Sequence, residues 1–333
     1  MALASPNTCL LCNDSLSGAH LEATDLLTTV PGTFVYRQCA GCGSYQQTPL
    51  PSQEFLTACY AGESLGYHTP PEDRAGLRRI GTALLKGVGS VANVPLRAID
   101  QLFSWTCDCL TGHERLEKAL PSIPPPARVL DIGCSWGRHL VSLRKKGYDV
   151  AGIELAAEPA RIARERHGLD VRSCPIEECD FPDSRFDVIL MSHVMEHLLN
   201  PRAVAEKIRA WLAPGGEFLF KCPCAEGPEF RRFGAACFVL QPPYHVFIPT
   251  REGMRRLLSP AFGSIEMVCQ AGHADWIESA QLARKAGLPG HGAFFAAAAH
   301  PAGKPLKTLI RLAMRAHVHM GGTSSRMAAR CRI

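Results

Sequence analysis

From Ala127 to about His300, short apolar runs alternate with amphipathic stretches. Six runs read as strands: Arg128–Asp131, Asp149–Glu154, Phe186–Met191, Glu217–Phe220, Ile265–Val268 and Ala293–Ala296. Between the first two, His139–Lys146 has the pattern of a helix, and Gly147 is placed to stop it in a left-handed cap. Strands alternating with helices predict βαβ units and a parallel sheet, so the fold class expected is α/β, with a Rossmann-like sheet.

Other regions have a different grain. Residues 1–48 carry two Cys-x-x-Cys pairs around a strand-like stretch with a Val30-Pro31-Gly32 turn. Residues 49–122 read as a helical connector, broken at Pro70-Pro71 and Pro95 and ending in a proline-rich linker. Residues 123–300 then form the α/β domain, and 301–333 a basic tail. A chain of 333 residues suits such a large domain with a smaller appendage.

Charge narrows the partners. The net charge is +5, but the last 33 residues hold seven basic side chains (Lys304, Lys307, Arg311, Arg315, Arg326, Arg330, Arg332) and no acidic one. The rest of the chain is close to neutral, which argues against a nucleic-acid-binding stripe. Neither a signal-like apolar run at the start nor a membrane-length one elsewhere is present, so a cytoplasmic location is expected. Fifteen cysteines without an export signal fit buried thiols or metal ligands better than a disulfide framework.

The segment Val129–Leu140 runs from a strand through a glycine-bearing turn into a helix, where open α/β sheets bind ligands. Gly133 and Gly137 allow a sharp turn and close approach of the backbone. Asp131 ends the strand, where a carboxylate can orient a cationic group. The turn lacks the third glycine of a dinucleotide fingerprint, which disfavours a pyrophosphate. S-adenosylmethionine, with no phosphate, a cationic sulfonium and two ribose hydroxyls, fits better. Glu154 closes the next strand and is suited to accept hydrogen bonds from both hydroxyls.

With these residues in hand, the order Val129–Gly137, Gly152–Glu154, Phe186–His197 and Leu212–Gly216 resembles class I S-adenosylmethionine-dependent methyltransferases. More narrowly, it resembles the branch that includes zinc-containing sugar C-methyltransferases, over roughly residues 9–300. The resemblance implies that Asp131, Gly133, Cys134 and Gly137 hold the methionine part, and Glu154 the ribose. It also implies Ile176 beside the adenine, Glu177 near its exocyclic amine, and Ser192 at the cofactor. Ser135 stands where many relatives have glycine.

Methyl transfer needs positioning and removal of a proton from the acceptor. His193, Glu196 and His197 share one face if Ser192–His197 opens a helix. The same residues spell His-x-x-Glu-His, so a zinc hydrolase using His193, Glu196 and His197 is an alternative, as is a non-catalytic binding protein of the same fold. Pro242–Pro249 falls where related enzymes place their acceptor pocket. His245, with Tyr244 beside it, is the preferred general base, since an unperturbed histidine titrates near 6.5. Arg231 and Arg232 suit an anionic acceptor or plain solvation.

Cys9, Cys12, Cys39 and Cys42 supply four thiolates for a structural zinc, with 26 residues between the pairs. Pro49–Leu56, with Tyr60 beyond it, resembles the acceptor-covering region of the sugar enzymes. In the tail, Leu306, Leu309, Ile310, Ala313 and Met314 make an apolar stripe opposite Lys307, Arg311 and Arg315; it is expected to dock on its own domain or stay mobile, with contact to an anionic membrane or acidic partner as the alternative. The expected acceptor is a small molecule, a sugar or natural-product intermediate, methylated on carbon or oxygen. Nucleic acid is not expected, because an Asn-Pro-Pro-Tyr type motif is absent as well.

Overall fold

The computed structural model describes residues 7–28, 30–61, 121–270, 273–288 and 304–333. The predicted strand at Ala293–Ala296 and most of the 49–122 connector lie outside the described residues.

In chain order the elements are β1 (His20–Thr24), β2 (Thr33–Gln38), β3 (Tyr45–Gln47) and α1 (Gln53–Ala61), then β4 (Arg128–Ile132), α2 (Arg138–Lys145), β5 (Asp149–Ile153), α3 (Ala157–His167), β6 (Asp170–Arg172) and β7 (Phe186–Ser192). They continue with α4 (Pro201–Trp211), β8 (Leu212–Pro223), α5 (Pro228–Phe233), β9 (Phe247–Ile248), α6 (Arg251–Leu258), β10 (Ser264–Cys269), α7 (His273–Lys285), α8 (Lys304–His319) and β11 (Arg326–Arg332).

Seven strands form the main sheet in the order β10-β11-β8-β7-β4-β5-β6. Strands β6, β5, β4, β7 and β8 run parallel, while β11 is antiparallel to both β8 and β10. The central strands are legible in sequence because helices cover both faces: Val129, Leu130, Val188, Ile189, Phe218, Leu219 and Phe220 are fully buried. Helix α2 ends as expected, with Gly147 at φ 93° and its N–H donated to the carbonyl of Arg144. Asn200 caps α4 by accepting from the N–H of Ala203, and Pro201 follows at the first helical position.

The end of the chain differs from the expected tail. Arg326–Arg332 fills the gap between β8 and β10, with Met327, Ala328, Ala329 and Cys331 buried. The α/β domain therefore extends past residue 300 to the last strand. The strand was hidden because alanine has weak β preference and three arginines in seven residues read as a solvated segment. Burial of Arg330 is made tolerable by Glu217, whose carboxylate lies 3.2 Å from Nε. Ahead of it, α8 packs Ile310 and Met314 against Ile277 of α7, so the apolar stripe is docked.

A second sheet has the order β1-β2-β3-β9, all antiparallel. Its fourth strand comes from the Pro242–Pro249 segment, through the pairs Tyr45 with Ile248 and Gln46 with Phe247. The N-terminal module is thus joined to the α/β domain by main-chain hydrogen bonds and by a shared core, in which Leu10, Leu11 and Leu16 cluster with Met254, Leu257 and Leu258. No helix among the described residues is long and apolar enough to cross a membrane.

Candidate active site and metal centre

The turn after β4 is strained in the manner that its glycines permit. Gly133 has φ 75° and Gly137 φ 83°, and Ser135 between them also takes a positive φ of 50°. A Cβ on Gly133 would lie 2.4 Å from Cγ2 of Val194, and one on Gly137 would lie 2.3 Å from Leu169. At Gly133 the stiff, β-branched Val194 adds a packing requirement to the conformational one, whereas at Gly137 the positive φ decides, since the end of Leu169 can move. The Val194 contact brings the loop after β7 onto the glycine turn, so the two motifs form one site.

Asp131 and Glu154 stand at the carboxyl ends of adjacent parallel strands and are buried. His139, at the start of α2, lies 3.6 Å from Asp131. Glu154 is oriented by two main-chain donors: the N–H of Ser135 to Oε2 at 2.7 Å and the N–H of Ala156 to Oε1 at 2.9 Å. These bonds fix the carboxylate at the strand end beside the glycine turn. Cys134 is buried under the turn, where desolvation raises its thiol far above the ordinary range and keeps it inert. Ser192 is exposed at the end of β7.

Of the residues assigned to adenine, Ile176 is buried and Glu177 exposed. Lys207 of α4 fixes this loop by donating to the carbonyls of Ile176, Glu177 and Cys179. Cys174 and Cys179 are joined in a local disulfide that closes the same loop, a pair for which buried thiols or metal ligation was the expectation.

The residues after β7 depart from the expected helix. His193 takes a left-handed φ of 55°, and Met195–His197 is a single 3-10 turn. His193 Nδ1 meets Glu196 Oε1 at 3.0 Å, while His197 turns away to the carbonyl of Tyr244, 2.8 Å from Nδ1. The two histidines of the hydrolase motif are therefore not paired on one helix face. Glu196 is fully buried; desolvation would raise its pKa, but the hydrogen bond to His193 and the nearby His197 and His245 outweigh that and hold it down to about 2.

His245 is at the centre of the site but is not placed as a base. It is 3% exposed, its Nδ1 meets the carbonyl of Val239 at 2.7 Å, and Nε2 lies 3.9 Å from Glu196. Burial, followed by the neighbouring His197, pushes it down to about 3, so taking up a proton there is unfavourable. Tyr244 is also buried, and its hydroxyl is 2.9 Å from that of Thr28 in the N-terminal module. Arg231 and Arg232 are exposed on α5, with Arg231 donating to the carbonyl of Glu226.

Two residues escaped the sequence reading. Arg326, at the start of β11, places Nη1 3.4 Å from Nε2 of His193, and it pairs with the buried Asp275 of α7 through two bonds of 2.6 and 2.7 Å. Nothing in the sequence marks either one, because their meeting depends on β11 entering the sheet.

At the other end, Cys9, Cys12, Cys39 and Cys42 converge. Sulfur separations are 3.8 Å for Cys9 with Cys42 and 3.4 Å for Cys12 with Cys39, and all four lie within 4.8 Å of one another. A tetrahedron with zinc–sulfur bonds of about 2.3 Å has edges of about 3.8 Å, so the set fits zinc. Each pair sits in the same knuckle: Asn13 and Gly43 donate to the carbonyls of Cys9 and Cys39, and both have positive φ. In the thiol form the hydrogen bond between Cys9 and Cys42 pushes the first thiol up and the second down.

Residues 107–297, more than half of the chain, match the sequence profile of a family described as "Methyltransferase domain". The chain belongs to this methyltransferase family, and its fold is that of the class I, S-adenosylmethionine-dependent members. Among curated relatives, the ubiquinone biosynthesis O-methyltransferase of Erwinia tasmaniensis is 32% identical over 100 residues, 28% of this chain and 41% of that protein. The enzyme of the same name from Bordetella bronchiseptica is 36% identical over a stretch of equal length and coverage. The match thus spans about two fifths of the length of these relatives. Among solved structures, a SAM-dependent methyltransferase from Archaeoglobus fulgidus aligns over 70% of this chain and 98% of its own, with 15% identity and a TM-score of 0.44. Geranyl diphosphate C-methyltransferase from Streptomyces coelicolor aligns over 67% and 76%, with 16% identity and a TM-score of 0.42.

Proposed function

We propose that this chain transfers the methyl group of S-adenosylmethionine to an oxygen of a small-molecule acceptor, with His193 as general base and a structural zinc in the four-cysteine module. The observation that carries this reading is the contact of Val194 with Gly133, which sets the His193–Glu196 pair against the turn flanked by Asp131 and Glu154. The relatives named as O-methyltransferases support an oxygen acceptor. A sugar or natural-product intermediate is the acceptor class favoured by the cysteine module, through the resemblance noted above.

The residues divide the work. Asp131 faces the cationic methionine end, Glu154 holds the ribose, and Ser192, Ile176 and Glu177 line the adenine side. When bound, S-adenosylmethionine supplies an electrophilic methyl carbon, whose bond to sulfur breaks with the electron pair going to sulfur. His193 donates its Nδ1 proton to Glu196, which leaves its lone pair on Nε2; there Arg326 is the donor at 3.4 Å, and an acceptor hydroxyl would displace that contact to deliver its proton. The hydroxyl proton passes to Nε2 as the oxygen attacks the methyl carbon. Buried Glu196 stabilises the imidazolium that results, and Asp275 neutralises Arg326 beside it. His245 and Tyr244 shape the wall rather than move the proton.

Replacing His193 by glutamine is expected to lower turnover by about 100- to 10,000-fold, the usual contribution of a general base. Affinity for S-adenosylhomocysteine should change by less than about threefold. Radiolabelled methyl transfer to a panel of hydroxylated small molecules, with titration of the product nucleoside alongside, reads both. Full turnover in the variant would remove His193 from the mechanism.

A further inference from the structure

Behind the His193–Glu196 pair, three side chains meet that methyl transfer as described does not fully use. Glu196, His197 and His245 each offer a ligand atom, and those atoms lie within 4.8 Å of one another. They come from the turn after β7 and from the segment leading into β9, so the cluster is a product of the tertiary fold and not of one motif.

The hydrogen bonds around the cluster are those of a metal site. Nδ1 of His197 lies 2.8 Å from the Tyr244 carbonyl, and Nδ1 of His245 lies 2.7 Å from the Val239 carbonyl. A carbonyl only accepts, so each ring carries its proton on Nδ1 and its lone pair on Nε2, which in His245 lies 3.9 Å from Glu196. Metal-bound histidines are held in this way, with the second ring N–H donated to a carbonyl or carboxylate. Independently, Glu196 is 0% exposed, and its Oε2 has no hydrogen-bond partner among the described residues. An ionised oxygen buried without a partner is costly, and a cation would satisfy it.

We propose that Glu196, His197 and His245 bind a divalent first-row transition ion. Two imidazoles and one carboxylate suit zinc, iron(II), cobalt(II) or manganese(II) better than magnesium, which favours all-oxygen shells. Bonds of about 2.1 Å to nitrogen and oxygen require the ligand atoms to close up by about an ångström, within reach of side-chain rotation. Three protein ligands leave coordination positions for a ligand from solution. If the methyltransferase reading holds, that ligand is the acceptor oxygen. The ion then stabilises its anionic form while His193, bonded to the same carboxylate, takes the proton.

The test is metal stoichiometry on the full chain equilibrated with cobalt(II), counted by mass spectrometry and read by absorption, with S-adenosylhomocysteine titrated in parallel. Two equivalents per chain are expected, one with thiolate charge-transfer bands and one with only weak d–d bands. His245→Gln and Glu196→Gln should each lose the second equivalent and keep the thiolate bands. A single equivalent in the unaltered chain, or a second that survives both substitutions, overturns the proposal; the unaltered count decides even if a variant fails to fold. Homocysteine-nucleoside binding with one equivalent sinks the metal site alone, whereas two equivalents without that binding sink the methyltransferase reading alone.

Discussion

Deletion of Arg326–Ile333 is expected to leave no folded α/β domain. These residues form β11, which pairs along its length with β8 on one side and β10 on the other. Removing it strips the partners from two strands, uncovers the space filled by Met327, Ala328, Ala329 and Cys331, and leaves Glu217 buried without Arg330. Losing one buried methionine alone costs about 2–5 kcal/mol. Losing the whole strand therefore exceeds the roughly 5–15 kcal/mol that holds a typical domain together. Circular dichroism against temperature should show no cooperative transition. A truncated chain that melts as sharply as the full one would return this segment to the status of a tail.

The second large effect is expected from the cysteine cluster. Cys39→Ser should remove one bound zinc per chain and lower the melting temperature by about 4–7 °C, the shift that roughly 3–5 kcal/mol produces in a chain of this size. Structural zinc in isolated fingers supplies more than that, about 10–16 kcal/mol. The smaller figure reflects the other anchors of this module. Tyr36 donates to the carbonyl of His245 at 2.7 Å, Thr250 donates to that of Cys42 at 2.6 Å, and β3 pairs with β9. Calorimetry with metal analysis checks both parts. An unchanged melting temperature after zinc loss would show that the knuckles are held by packing alone.

The Tyr36 contact ties the module to the candidate active site. It grips the main chain of His245 while the ring of that residue faces Glu196, so loosening the ribbon is also a route to disturbing the pocket wall.

The parts of the fold legible in the sequence were those whose causes are local. β4, β5 and β7 are largely buried and appear as short, mostly apolar runs. The two Cys-x-x-Cys pairs announce themselves by spacing, and Asp131, Gly133, Gly137 and Glu154 by their positions at strand ends. Other features arise only when distant segments meet. β11 is written in arginine and alanine, which read as a solvated tail. His245 was the expected base because it lies where related enzymes place the acceptor pocket, but its burial and the Val239 carbonyl are supplied by the chain folding over it. The motif beginning at His193 has helical spacing, yet the close packing of Val194 on Gly133 accompanies a left-handed residue and a single turn in place of the helix. The Arg326–Asp275 pair joins β11 to α7, a meeting that neither residue's neighbours foreshadow.

The central claim is that the cleft between the glycine turn and the ends of β4 and β5 holds S-adenosylmethionine. Isothermal titration of S-adenosylhomocysteine into the full chain, with Glu154→Ala in parallel, tests it most directly. Micromolar binding that weakens by at least about tenfold in the variant is the result expected, since two charge-assisted hydrogen bonds to the ribose would be lost. No binding to the folded chain, or equal binding by the variant, would contradict the account.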